Sequence, residues 1–184
     1  MWRVGAAPEP CYVSPMTTPT DPLAILDRTK IARHHVLFRL DPSNWSGADE
    51  QKAPGHYAMV ALGPGKDPQP MALASIPGAD ARELVVRVHS DEHLEETLAL
   101  DGPMLVSAPM GKGFPIEEAR GRPLWLLAAG SAIGAIRPVV ESVMAEREAF
   151  GPVHLLYGAR TAADLCFTDR FEAWRSAGIE VVPV

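Results

Sequence analysis

A short apolar strand, a glycine-containing turn and a helix follow one another between residues 123 and 150. The strand Leu124–Ala129 runs into the turn Gly130-Ser-Ala-Ile-Gly134, and an apolar stripe at helical spacing begins directly after it. The free N–H groups and the positive end of the helix dipole favour binding of a pyrophosphate at such a turn. A tight connection that needs glycine only for packing has the same pattern, because Ala132 carries a Cβ where phosphate loops often have glycine. The turn alone leaves both interpretations open.

The sequence after residue 120 alternates strands with helices. Apolar strands are predicted at Leu124–Ala129, Val153–Tyr157 and Ile179–Val182, with helices at 135–150 and 162–177 between them. Strands that alternate with helices in this way form parallel βαβ units. We therefore predict an α/β unit from 121 to 184.

The sequence before residue 120 contains short segments of strand character separated by proline and glycine. Many short strands at this spacing predict a small antiparallel β barrel over residues 23–120. One amphipathic helix is predicted at 91–100, and residues 1–22, rich in proline and threonine, are predicted to form a flexible N-terminal arm. The predicted strands are Ile31–Leu40, His56–Leu62, Met71–Ile76, Glu83–Val88 and Met104–Ser107.

Composition excludes several classes of function. The formal charge of −6 and the lack of a Lys/Arg cluster argue against a nucleic-acid partner. Cys11 and Cys166 are far apart and the six histidines are scattered, so neither a disulfide framework nor a metal site is indicated. The longest apolar runs are far shorter than a membrane span, and the N-terminus lacks the pattern of a secretory signal, so we expect a cytoplasmic protein.

Two further segments carry candidate binding chemistry. Tyr157-Gly-Ala-Arg160 follows the second predicted parallel strand, whose carboxyl end faces the same crevice as the turn at Gly130. Arg160 there either pairs with a phosphate or is a solvated loop charge. The segment Ser107–Phe114 is a glycine-rich loop with one cation and one aromatic ring. It either supports a ring or phosphate, or is a turn anchored by Phe114.

Five segments in this order resemble the ferredoxin-NADP reductase-like flavoproteins over roughly residues 25–184. The resemblance implies a Greek-key barrel that binds FAD, followed by a Rossmann-like domain that presents NAD(P)H. Hydride would pass from NAD(P)H to FAD, and electrons would continue to a redox partner or a small-molecule acceptor. The five segments are Pro54-Gly-His-Tyr57, Pro70–Pro77, Met110-Gly-Lys-Gly-Phe114, the turn and helix start at 130–138, and Tyr157-Gly-Ala-Arg160.

The resemblance also implies which residues bind the cofactors. No catalytic acid, base or metal ligand is expected, because hydride moves between cofactors that the protein orients. Arg160 stands where an acid usually reads the ribose, and this favours NADPH over NADH. The flavin contacts implied are Met71, Ala72, Leu73, Ala74, Ser75, Gly111, Lys112, Gly113 and Phe114, and the nicotinamide nucleotide contacts are Gly130, Ser131, Ala132, Ile133, Gly134, Tyr157, Gly158, Ala159 and Arg160.

The sequence departs from the family pattern in two places. Gln69, Met71 and Ala72 stand where the family has the arginine, tyrosine and serine of its flavin motif. The family also continues beyond the position of Val184 to a Cys-Gly-Pro-like segment. We therefore expect an incomplete, apparently truncated Rossmann-like unit, covered by a protein partner or by a second copy in a dimer. Two functions stay open: a flavin-dependent NAD(P)H oxidoreductase, and an inert binding module that kept the fold.

Overall fold

The computed structural model describes residues 18–63 and 65–184. Its first part is two antiparallel sheets, with strand orders β1-β7-β4-β5 and β2-β3-β6, and a bridge between Leu73 and Leu84 joins them. The predicted antiparallel barrel is confirmed. The strands are β1 (Asp21–Leu23), β2 (Ile25–Ala32), β3 (His35–Leu40), β4 (Tyr57–Ala61), β5 (Gln69–Ala72), β6 (Arg82–Arg87) and β7 (Met104–Val106), and helix α1 (Asp91–Leu98) lies between β6 and β7.

The barrel core follows from the two-residue period of its strands. Along β3 the side chains of Val36, Phe38 and Leu40 are fully buried, while Arg39 between them is exposed. They pack with residues of both sheets, including Leu84. Strand β1 pairs with β7 rather than with a sequence neighbour, so the chain ends its barrel by returning to its start.

The prediction of a single strand at Ile31–Leu40 was wrong. The structure has a hairpin there, in which β2 ends at Ala32, Arg33 and His34 form the turn, and β3 starts at His35. Strand β2 is largely exposed and contains two irregularities in its pairing register, so its apolar residues do not alternate strictly. Periodicity therefore missed most of β2 and merged its end with β3.

The second part is a three-stranded parallel sheet with order β10-β9-β8. Its elements are β8 (Leu124–Ala129), α2 (Ile133–Ala145), β9 (Val153–Gly158), α3 (Phe171–Ser176) and β10 (Ile179–Pro183). Both helices contribute to one core, in which Val140 and Trp174 pack with the sheet residues Leu126 and Leu155. The predicted Rossmann-like α/β unit is confirmed as a fold.

The two long helices predicted in this unit are shorter in the structure. The first ends at Ala145 and only a 3₁₀ turn at Arg147–Ala149 follows it. The predicted helix at 162–177 contains two 3₁₀ turns, and only Phe171–Ser176 is α-helical. Phe167 interrupts it with a left-handed backbone, at a φ of 58°, which an α-helix cannot contain. Phe167, Phe171 and Trp174 of the predicted helix are still buried, although Phe167 lies outside α3.

The second face of the parallel sheet is open. Trp125 and Leu127 of β8 point away from the helices and are 59% and 69% exposed. Trp125 stacks on His154 at a ring distance of 4.1 Å. Strand β8 lies at the sheet edge, with no strand beyond it in the described ranges. The barrel buries its apolar residues inside, whereas this sheet buries one face only.

Two hydrogen-bonded contacts join the barrel to the α/β unit. Arg137 of α2 donates to Glu83 of β6 at 2.6 Å, and its guanidinium lies over the Phe167 ring. The backbone N–H of Arg33 in the β2–β3 turn donates to the carbonyl of Ala163 at 2.7 Å. The clefts between the two parts therefore have walls from both.

The predicted N-terminal arm lies mostly in residues 1–17, outside the described residues. Its last two residues, Asp21 and Pro22, belong to β1 and pair with β7, so they are part of the barrel. No helix in the described ranges is long and apolar enough to cross a membrane. No cluster of three potential metal ligands occurs in them either.

Candidate nucleotide-binding site

The turn between β8 and α2 has the geometry of an open helix start. Gly130 has a φ of +53°, in the left-handed region that favours glycine, and no atom lies near the position a Cβ would take. A 3₁₀ turn at Gly130–Ala132 leads into α2, and neither helix start has a side-chain cap. Backbone N–H groups at the start of a helix are suited to bind an anion.

Tyr157 holds this turn from below. Its hydroxyl donates to the carbonyl of Gly130 at 3.1 Å and accepts from the backbone N–H of Cys166 at 3.0 Å. The side chain is fully buried, and burial raises the pKa of Tyr157 above its ordinary value, so the hydroxyl stays a donor. Of the residues predicted to bind cofactor, Tyr157 therefore acts by positioning the turn, because its side chain is not at the surface.

Glycine stands at position 134 for a different physical reason. A Cβ at this position would lie 3.1 Å from Cγ2 of Val85 in β6, so glycine lets α2 approach the barrel closely. The two interpretations of the turn, a backbone open to a ligand and a glycine needed for packing, therefore apply to different glycines. Gly130 gives the backbone its open conformation, and Gly134 serves packing.

A cleft of about 660 Å³ opens where the β2–β3 turn faces the carboxyl ends of β8 and β9. We call it the basic cleft. The structure brings together here the predicted Gly130, Gly158, Ala159 and Arg160. Sequence reasoning missed the remaining lining residues, which are Arg33, His34, His35, Arg87, Ala129, Thr161 and Asp164.

The ionisable groups of the basic cleft interact with one another. Asp164 accepts from the Thr161 hydroxyl at 2.8 Å, and this bond, with the nearby His34 and Arg33, lowers the pKa of Asp164. His34 lies 3.8 Å from that carboxylate and 3.7 Å from Asp91. The carboxylate therefore stays charged and is held within the protein's own contacts.

His35 is the buried polar group of this cleft. Its side chain is only 3% exposed, and neither ring nitrogen has a hydrogen-bond partner in the described structure. Burial, followed by the positive charge of Arg87, lowers the pKa of His35. A neutral imidazole with free nitrogens at a cleft wall is ready to bond a ligand or water.

A second cleft, of about 300 Å³, lies on the other side of the turn. Its lining joins Met71 and Ala72 of β5 to Ser131, Ala132 and Gly134. Ala129 lines both clefts, so they meet at the end of β8. We call this the Met71 cleft; its walls are completed by Pro70 and Val85.

The other predicted flavin contacts on this segment point elsewhere. Leu73 and Ala74 are buried in the barrel, at 1% and 0% exposure. The hydroxyl of Ser75 is buried and accepts from the backbone N–H of Glu83 at 3.2 Å. Ile133 is also fully buried, in the core of the α/β unit. Their side chains support the clefts from behind without lining them.

The Gly111–Phe114 loop does not line either cleft. A Cβ at Gly111 would contact the Tyr57 ring at 3.3 Å, and one at Gly55 would overlap Phe114 at 2.4 Å. Phe114 lines a separate apolar groove that also contains Trp125 and Leu127. Lys112 is exposed. The loop lies against Tyr57, which pairs with Ala72 across β4 and β5.

The clefts fit parts of the two expected cofactors. The Met71 cleft offers a thioether and small side chains to one face of a planar ring. Gln69 beside it is exposed and brings no charge for phosphates. The basic cleft supplies arginines, a helix start and the unpartnered His35. The residues present thus fit a flavin ring and the phosphates of a nicotinamide nucleotide.

An antiparallel barrel packed on a parallel α/β unit, with clefts at the carboxyl ends of its strands, is the arrangement typical of nucleotide-dependent flavoprotein oxidoreductases. Residues 126–184 match the family model for the oxidoreductase NAD-binding domain. The chain is similar in sequence and in fold to the ferredoxin-NADP reductase-like FAD/NAD(P)-binding oxidoreductases.

Two curated relatives and one solved structure illustrate the similarity. The chain is 30% identical over 142 residues to the NAD(P)H-flavin reductase of Vibrio harveyi, covering 71% of this chain and 59% of the relative. It is 30% identical over 124 residues to sulfhydrogenase 1 subunit gamma of Pyrococcus furiosus, covering 66% and 42%. The flavohem-like FAD/NAD binding domain of nitric oxide dioxygenase from Vibrio cholerae superposes with a TM-score of 0.74 at 18% identity, covering 90% of this chain and 74% of that one. The chain thus spans about half the length of the curated relatives.

Proposed function

We propose that the chain works as a flavin-dependent NAD(P)H oxidoreductase, in which hydride moves between NAD(P)H and FAD. The observation that carries the proposal is the meeting of the two clefts at Ala129. One cleft is lined by the flavin-type segment at Met71 and Ala72, and the other by arginines and the helix start. Bound FAD would supply the two-electron acceptor that the protein itself lacks.

The residues of the chain would bind and orient the two cofactors. Met71 would lie against a ring, and the N–H groups at Ser131 and Ala132 would hold a diphosphate at the start of α2. Tyr157 keeps that turn in place through the Gly130 carbonyl. No side chain is required to accept a proton during hydride transfer, because the hydride passes directly from one cofactor to the other.

The visible spectrum of the purified chain tests this proposal. We expect the protein to be yellow, or to become yellow with added FAD, and to bleach under anaerobic NADH or NADPH. A protein that stays colourless after reconstitution with FAD would contradict the proposal. That result would favour the alternative, a reductase-like binding module without turnover.

The proposal includes an electron acceptor, which is either a redox partner protein or a small molecule. The relatives support both: one is named a flavin reductase and the other a subunit of a sulfhydrogenase. The open face at Trp125 and Leu127 supports a protein partner, or a second copy, that covers the sheet. If a second copy covered this face, light scattering during size-exclusion chromatography would show a dimer and Leu127→Asp would return it to a monomer; a chain that is a monomer throughout would leave a different protein as the partner. The cytoplasmic location stays a prediction from sequence.

A further inference from the structure

Most arginines of this protein are already bound by its own groups. Of the twelve in the described ranges, eight donate to a carbonyl or pair with a carboxylate. The other four are Arg33, Arg87, Arg122 and Arg160, and three of these line the basic cleft. The arginines without a side-chain hydrogen bond or salt bridge in these ranges are therefore concentrated at this cleft, on a protein whose formal charge is −6.

These three arginines come from three different elements. Arg33 is in the β2–β3 turn, Arg87 ends β6, and Arg160 follows β9. Two of the three thus belong to the barrel and one to the α/β unit. Arg33 is also placed by its backbone, since its N–H donates to Ala163 beside the cleft.

The cleft has fewer negative charges than arginines. Among its lining residues Asp164 is the single carboxylate; it is bonded to Thr161, and both His34 and Arg33 act on its charge. The buried His35, with both nitrogens unpartnered, adds a polar group that points to a bound ligand. Like charges that line one cleft repel one another. An anion bound in the cleft would lower the electrostatic free energy of this repulsion.

We propose that the basic cleft binds the 2′-phosphate of NADPH, and that Arg33 and Arg87 of the barrel share this contact with Arg160. The inference rests on the proposed function. The helix start at Ser131 already suits the diphosphate that NADH and NADPH share. A second phosphate, nearly a dianion at neutral pH, is what the arginine forks across the cleft suit. The barrel would thereby determine which nicotinamide nucleotide the protein prefers.

Calorimetric titration of the whole chain with adenosine 2′-monophosphate tests the proposal without any flavin. Arg33→Ala and Arg87→Ala should each weaken binding of this probe by about tenfold, the usual effect of removing one charge-assisted hydrogen bond. Arg122→Ala is the matched control, because Arg122 is also unpartnered and lies outside the cleft; its affinity should equal that of the wild type.

A second probe separates the two phosphates of the dinucleotide. Adenosine 5′-monophosphate should bind Arg33→Ala and Arg87→Ala as it binds the wild type. Equal weakening of both probes would assign these arginines to the diphosphate and overturn the proposal, as would unchanged binding of the 2′-phosphate. Arg33→Lys and Arg87→Lys, which keep the charge, should recover part of the affinity and show that the alanine variants were not simply misfolded.

The outcome is independent of the test of function. If NADH and NADPH bleach the flavin but the arginine variants bind the 2′-phosphate normally, the inference fails and the proposed function stands. If the probe binds as expected but no flavin is bound or reduced, the phosphate site stands and the oxidoreductase proposal fails.

Discussion

The barrel and the α/β unit bury their apolar residues in different ways. The barrel encloses its core between two sheets that are joined at Leu73 and Leu84, and Phe38 inside it is fully buried. The parallel sheet packs both helices on one face and leaves Trp125 and Leu127 of β8 in solvent. The difference teaches that the barrel needs no further layer to cover its core, while the sheet still has a surface suited to a partner.

The largest expected effect is in the barrel core. Phe38→Ala should lower the free energy of unfolding by about 3–5 kcal/mol, because it removes a buried ring and leaves a cavity. Urea unfolding followed by circular dichroism measures this. A loss below about 1 kcal/mol would show that the barrel does not depend on its closed core.

The next largest loss of stability is expected where Tyr157 connects the turn at Gly130 to the α/β core. Tyr157→Phe removes the hydroxyl that bonds the Gly130 carbonyl and the Cys166 N–H, so about 1–3 kcal/mol of stability should be lost. The same variant should weaken binding of adenosine 5′-monophosphate, since the turn is no longer held. Tyr57→Phe is the control, because Tyr57 lies outside both clefts. Unchanged stability and binding in Tyr157→Phe would contradict the positioning role.

A smaller loss of folding stability is expected when the pH is raised above 9. Burial raises the pKa of the Cys166 thiol to about 11 from an ordinary value near 9. Above pH 9 the unfolded chain releases this proton while the folded chain keeps it, so stability should fall between pH 9 and 11, by about 1.4 kcal/mol per pH unit. Thermal unfolding of wild type and Cys166→Ala across this range isolates the contribution. Parallel pH profiles for the two proteins would disprove it.

The smallest effect is expected on the open sheet face. Leu127→Ser should change the free energy of unfolding by less than about 0.5 kcal/mol, because the side chain is 69% exposed. Unfolding in urea at two protein concentrations measures this. A loss above 1 kcal/mol that grows with concentration would show that the face is covered in solution, and the contrast with the barrel would disappear.

Local patterns predicted much of this fold. Strand β8 runs over the predicted residues, and the other strands of the α/β unit differ from prediction by one residue at an end. These segments are short, mostly apolar and bounded by glycine or proline, so their signal is strong. The helix predicted at 162–177 failed because Phe167 adopts a left-handed backbone that no propensity rule indicates.

The candidate site was only half predictable. The turn at Gly130 and the segment ending in Arg160 follow strands of one type, and the rule for parallel sheets places their ends together. Arg33, His35 and Arg87 gave no signal, since the first two were placed inside one merged strand and the third at the end of another. They reach the cleft because β3 pairs His35 with Arg87 of β6 and because the β2–β3 hairpin turns at Arg33.

The sequence by itself determined the class of fold, the strand, turn and helix around Gly130 and the family resemblance, because hydrophobic period and turn residues act over a few neighbouring positions. Only the tertiary structure decided which strands close the barrel, which sheet face stays open and which arginines meet in one cleft. Those outcomes depend on strand register and on contacts between residues more than a hundred positions apart, such as Arg33 and Ala163.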